Sequence, residues 1–277
     1  MRRLSPAIFV LSLTGIFYLI KIGSSWAGID LPWSTTFDCP EWTDITPKSR
    51  LNCDGILEGG NWACRDGATL FPEQITTDAN FSGGDGGKGQ RHWVGDGKKN
   101  NSGGLSIIFN KRQTEWWIRF YMRYPLGFIW REDSNQSQKI LYSFDSTLPK
   151  NRGAGYIGWL RKNRIRLQVD GDKTYFSSPG SGWHSVMGGI TGDGRWHIYE
   201  MHFKHGNPGE FQLWIDGGSR LHATDVDFSQ CTGWTQFILP SNTNATNNGR
   251  CLGQDFDDIA ISNTGRIGPI IKGPQSP

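Results

Sequence analysis

Residues 115–124 read EWWIRFYMRY, and every second position from Trp117 onward is aromatic or cationic. In an extended segment alternate side chains share a face, so Trp117, Arg119, Tyr121 and Arg123 stand together. Those residue types suit one chemistry in particular. A cation or amide that neutralises a carboxylate makes the neighbouring C–H acidic, and a Tyr or His of tuned pKa then moves the proton. These are the requirements of β-elimination on a uronate-bearing polymer. Arg119 or Arg123 would neutralise, and Tyr121 or His202 would act as base. A second cluster, Gln90, Arg91 and His92 in GKGQRHW (87–93), offers the same groups from a loop.

Sugars also need platforms, because pyranose rings stack their C–H faces on aromatic rings and their hydroxyls seek planar polar partners. Trp117, Tyr121 and Trp214 supply the rings. Arg119, Arg123, Lys139, Arg164, Arg166, Gln168 and Gln212 supply the polar groups, and His184 in GSGWHS adds a loop histidine. His197 alternates onto an apolar face and reads as a packed residue, while His205 and His222 read as surface residues. Asp257 and Asp258 in QDFDDIAIS, with Asp38 or backbone carbonyls, are the candidate oxygen ligands of a structural Ca²⁺. No other cofactor is called for. The chain has no GxSxG elbow, HExxH, P-loop or dinucleotide fingerprint, and the Gly-rich stretch 84–89 precedes no strand-to-helix pattern.

The elements that must hold these groups are strands. Short alternating runs recur between Gly, Asn, Asp and Pro clusters from Ala68 to Gly268. Trp116, Ile118, Phe120 and Met122 oppose the aromatic and cationic face of 115–124. Ile165, Leu167 and Val169 oppose Arg164, Arg166 and Gln168; Phe211, Leu213 and Ile215 oppose Gln212 and Trp214. His197, Tyr199, Met201 and Phe203 oppose Glu200, His202 and Lys204. In KILYSF (139–144) the same alternation predicts Ile140, Tyr142 and Phe144 inward, with Lys139, Leu141 and Ser143 outward. Half-buried strands of this kind predict an all-β fold, a two-sheet antiparallel β-sandwich of the jelly-roll type with one trough-like outer face.

Composition agrees and also excludes. Of 277 residues 36% are hydrophobic, enough for a sizeable core, and the 37 Gly and 13 Trp favour turns and aromatic surface over a helical bundle. Residues 1–27 combine Arg2 and Arg3, an apolar run from Ala7 to Ile20, and small residues up to Ala27, which reads as a secretory signal. The apolar run is shorter than the ~20 residues of a spanning helix, so a membrane enters only through an uncleaved signal. Without Arg2, Arg3 and Lys21, 26 basic residues remain against 26 acidic ones. That balance argues against nucleic acid as a partner. Export makes the protein secreted or periplasmic, where disulfides persist. Cys231 and Cys251, flanking the loop 241–250, are the first expected pair; Cys39, Cys53 and Cys64 leave one thiol over. The domain reading is a signal (1–27), a Cys-containing lead (28–67), the jelly roll (68–268) and a flexible tail (269–277).

WHIYEMHFK (196–204) and GEFQLWIDG (209–217), followed by FDDIAIS (256–262), resemble the late strands of concanavalin A-like lectin/glucanase domains, a pattern shared with laminin-G-like modules and several polysaccharide lyases. The matching positions are Trp196 and His197, Trp214 to Gly217, and Asp257 to Ser262, and EWWIRFYMRY is similar to the central strand of heparin lyase I-like enzymes. The resemblance implies the jelly roll over residues 68–268. The ExDxE-type acidic strand of laminarinase-type hydrolases of this fold does not occur, which disfavours glycoside hydrolysis. The resulting expectation is an exported protein that binds a polysaccharide, acidic where it is a lyase substrate, and cleaves it by β-elimination. The alternative is a noncatalytic laminin-G-like adhesion module, and a third reading is a structural envelope protein whose trough is filled by the Gly28–Gly67 lead.

Overall fold

The computed structural model describes residues 28–38, 56–60, 64–65, 68–69, 73–93, 103–128, 138–148, 155–160, 164–169, 173–176, 192–240 and 252–271. The expected signal, Cys39, Cys53, Cys251, His184 and the 241–250 loop lie outside them. The described strands are β1 (Trp33–Thr35), β2 (Ile56–Gly60), β3 (Cys64–Arg65), β4 (Ala68–Thr69), β5 (Glu73–Thr76), β6 (Gly89–Trp93), β7 (Gly103–Gln113), β8 (Glu115–Arg123), β9 (Gln138–Phe144), β10 (Gly155–Leu160), β11 (Arg164–Val169), β12 (Lys173–Phe176), β13 (Trp196–Lys204), β14 (Gly209–Ile215), β15 (Gly218–Val226), β16 (Trp234–Leu239) and β17 (Gly253–Ser262). The first sheet runs β15-β14-β13-β8-β17-β6-β5, with β1 on the β17 edge. The second runs β12-β11-β10-β9-β16-β7-β2. The pairings within both sheets are antiparallel, as the alternating patterns predict. β1 and β2, both from the 28–67 lead, join one sheet each.

The core lies where the apolar faces of the two sheets meet. Trp116, Ile118, Phe120 and Met122 of β8 are buried against Tyr199, Met201 and Phe203 of β13 and Phe256, Ile259 and Ile261 of β17. The second sheet contributes Leu105, Ile107 and Phe109 of β7, Leu167 of β11, and Trp234 and Phe237 of β16. Trp116 ties the layers together, stacking on Phe203 at 4.7 Å and on Phe237 at 5.3 Å. Each buried aromatic or aliphatic side chain of this size contributes roughly 1.5–3 kcal/mol.

Two bulges change which residues face where. In β17 the register shifts between Asp257 and Ala260, and Asp258 takes φ +47 there. One extra residue keeps both Phe256 and Ile259 inward although they are three apart. In β9 the register against β10 shifts so that Leu141 pairs with Ile157 and Lys139 with Gly158. Ile140 is the extra residue, and the phase of the strand beyond it is reversed. Leu141 and Ser143 therefore point inward, and Ser143 lies opposite the core residue Phe237. Tyr142 and Phe144 lie on the side of Lys139 and outside the main core cluster, Tyr142 half-buried and Phe144 buried. This corrects the expected facing of KILYSF: strict alternation holds only for a strand without a bulge.

Candidate functional site

The first sheet collects Trp117, Arg119, Tyr121, Arg123, His202, Gln212 and Trp214 on its outer face, as the alternation predicts. The protein's own segments cover much of that face. Phe81, from the loop between β5 and β6, stacks on Tyr121 at 4.1 Å, and the Arg119 guanidinium lies 5.5 Å from the centre of the same Tyr121 ring. The Tyr121 hydroxyl accepts from the Ile270 amide at 3.1 Å. Arg119 donates to the Asp258 carbonyl at 3.1 Å. Arg123 and Arg91 both clamp the Asp255 carboxylate, Arg91 through Nε at 2.7 Å and Nη2 at 3.1 Å. That contact holds the Arg91 guanidinium above its ordinary pKa. Glu200, only 2% exposed, accepts from Arg266 Nε at 2.8 Å and from the Ile267 and Gly268 amides at 2.6 and 3.2 Å. A strap of residues 266–270 is thereby fixed across the centre of the face. Composition reads residues from 269 onward as tail; a strap held by backbone amides carries no periodic signal. His202 lies to one side of it, stacked face to face on Trp117 at 4.2 Å with Nε2 3.0 Å from Glu115.

His92 does not join this group. It is wholly buried on the inward side of β6, with Nδ1 2.6 Å from Glu73, whose other oxygen accepts from Gln90 at 2.7 Å. His197 is partly exposed and bridges Asp216 at 2.7 Å and Asp193 at 3.1 Å. Burial alone would lower its pKa, but the two carboxylates outweigh that and hold it above the ordinary value.

The acidic pair is engaged by backbone amides. Burial, aided by the Asp258 and Asp38 charges, pushes the Asp257 carboxyl up to about 8 against two backbone donors, Phe81 N–H at 2.7 Å and Asp258 N–H at 2.8 Å. Asp258 accepts from Asp85 N–H, and both Asp38 oxygens accept from Gly87 N–H. Among the described residues no three His, Cys, Asp or Glu side chains form a group that could hold a metal ion. Cys231 is buried, and its expected partner lies outside the described residues.

The remaining expected residues belong to the second sheet, on the opposite surface of the sandwich. Lys139 is on β9, and Arg164, Arg166 and Gln168 are on β11. The structure thus divides the sequence-derived group between two faces. On the second, the Lys139 ammonium lies 5.2 Å from the Tyr142 ring centre, and Phe144 packs against Tyr142 at 5.2 Å. Gln236 donates to Ser106 on the same face. Register extends the pattern in two cross-strand rows. Tyr142 pairs with Tyr156, which pairs with Gln168; Lys139 pairs with Gly158, which pairs with position 166 of β11. A residue without a side chain therefore separates two basic positions. Tyr142 and Phe144 were assigned to the core by alternation alone. The signal for their outward turn is the adjacent apolar pair Ile140 and Leu141, both buried, which an unbroken strand cannot bury on one face.

No protein-family model matches the sequence, and no curated protein matches it. Solved structures do. The alginate lyase Aly36B aligns with a TM-score of 0.52 at 13% identity, covering 86% of this chain and 98% of its own. A double variant of that lyase in complex with an alginate trisaccharide aligns at 0.51 and 13% identity, covering 85% and 100%. An endo-β-1,4-glucuronan lyase from the fungus Trichoderma reesei aligns at 0.49 and 13% identity, covering 74% and 94%. With its two antiparallel sheets in this order, the chain is a two-sheet β-sandwich of the jelly-roll type, the fold it shares with that alginate lyase.

Proposed function

We propose that this is an exported polysaccharide lyase that binds a uronate-containing polymer along the outer face of the second sheet and cleaves it by β-elimination. The observation that carries the reading is the Lys139 and Tyr142 pair beside Gly158. The substrate carboxylate rests over Gly158, where Lys139 neutralises its charge and acidifies the adjacent C–H. Tyr142, acting as its phenolate, takes that proton and becomes the phenol. The electron pair left behind forms the C=C bond, the bond from the β-carbon to the glycosidic oxygen breaks, and the proton is returned to the leaving oxygen. Gln168 serves a neighbouring sugar unit by hydrogen bonding. The fold shared with an alginate lyase, one form of which holds an alginate trisaccharide, supports an acidic glycan as substrate.

The test follows the ultraviolet absorbance of new C=C–COO⁻ ends during incubation with alginate, glucuronan and heparin. A rise with at least one polymer, cut by about 100-fold or more in Tyr142→Phe, is the expected result. Lys139→Ala should weaken polymer retention as well as turnover. Retention on an immobilised uronate polymer without any absorbance rise would replace catalysis by the noncatalytic binding-module reading.

A further inference from the structure

The strap across the first sheet roofs a cavity of about 260 Å³ between Arg266, Pro269, Trp214 and the Asp216–Gly217 turn. It lies on the opposite surface from Lys139 and does not depend on the lyase reading. The cavity has a built frame. Asp216 and Gly217, at φ +51 and +77, form the two-residue turn joining β14 to β15, the Asp-Gly pair that such a hairpin requires. The Asp216 carboxylate is fixed by His197 and by the Ile198 amide at 3.1 Å. On the other wall, buried Glu200 holds Arg266 by Nε, and the guanidinium lies 4.4 Å over the Trp214 ring. Nε is thus spent inside the protein, and the two terminal NH₂ groups are left as a donor fork whose orientation is set by Glu200 and Trp214.

We infer that this cavity is a second carbohydrate site, taking one neutral pyranose unit. At ~30 Å³ per water the space equals about nine waters, the room of a single hexose ring. Ile198, Trp214 and Pro269 give its C–H faces an apolar wall. Sugar hydroxyls accept from the Arg266 fork and donate to the outer lone pairs of Asp216. Glu200 is paired with Arg266, and His197 is shared between Asp216 and Asp193, so the lining carries no excess positive charge to draw a polyanion. The site therefore selects a neutral glycan, different in kind from the substrate of the second sheet.

The test is calorimetric titration of the full mature chain with cellotetraose, xylotetraose and mannotetraose. Saturable binding of at least one is expected. It should weaken by roughly tenfold or more in Trp214→Ala and in Arg266→Ala, with unchanged far-ultraviolet dichroism, and stay within about threefold in Trp214→Phe, which keeps a ring. Lys139→Ala should bind the same neutral sugar as well as the parent. Failure to bind any of the three, equal binding by Trp214→Ala, or loss in Lys139→Ala would each overturn the assignment.

Discussion

The two outer faces of this sandwich start from the same sequence pattern, aromatic and cationic residues alternating with apolar ones, and put it to different uses. On the first face the polar groups are bound to segments of the same chain: Tyr121 to Ile270, Glu200 to residues 266–268, Arg119 to Asp258 and Arg123 to Asp255. On the second, the Lys139 ammonium lies over the Tyr142 ring and Phe144 packs beside it. A face of Arg, Tyr and Trp is therefore not by itself a binding trough. Such residues equally well satisfy the amides and carbonyls of a strap that must cross a sheet.

Two tyrosines give the sharpest way to break this comparison. Tyr142→Phe should lower turnover by about 100-fold or more, whereas Tyr121→Phe, which loses a bond to a backbone amide, should keep it within about threefold. Steady-state rates on the best uronate polymer decide it, and a reversal would return the active site to the first sheet. Next in size is Glu200→Ala, which strands Arg266 and two amides and should cost about 2 kcal/mol in denaturant unfolding. Trypsin cleavage after Arg266 should rise in that variant. Unaltered cleavage would mean that the strap is held by something other than Glu200.

The third prediction concerns the loop that packs Phe81 on Tyr121. Asp257 is raised to about 8 from the usual 3.8, so the folded state holds the proton more tightly and loses stability as pH climbs from 3.8 towards 8. Asp257→Asn removes that loss. Its melting temperature relative to the parent should therefore improve between about pH 5 and pH 8, and a shrinking difference would contradict the assignment. The smallest effect belongs to the hairpin beside Trp214. His197 is raised, so its contribution is full below its ordinary pKa of 6.5 and fades as pH rises through the raised value. Asp216 is lowered despite burial, by its bond to and charge pairing with His197, and its contribution is lost as pH falls through that lowered value. His197→Gln should thus cost more at about pH 5.5 than at about pH 9, as thermal unfolding would register.

The fold was legible because period-two patterns are local. EWWIRFYMRY places Trp116, Ile118, Phe120 and Met122 in the core without any knowledge of partners, and the structure agrees. The site was legible only in part. Alternation gives the facing of Arg119 and of Gln168 but not that their strands belong to different sheets, since pairing is set by contacts far apart in sequence. It misplaced Tyr142 because a bulge is invisible to a period. It was silent about residues 266–270, whose hold on the sheet is made by backbone amides and one arginine.

The extra residue in β9 has a consequence for how this protein can change. Ile140 is the surplus residue: without it Lys139 would be followed directly by Leu141, the two still opposite Gly158 and Ile157, and strict alternation would leave Leu141 and Ser143 inward and Tyr142 outward. A single-codon deletion at position 140 would therefore remove the bulge and one buried side chain while keeping the face that carries Tyr142. An inserted or deleted residue elsewhere in the paired stretch has no bulge to absorb it and would turn that face over.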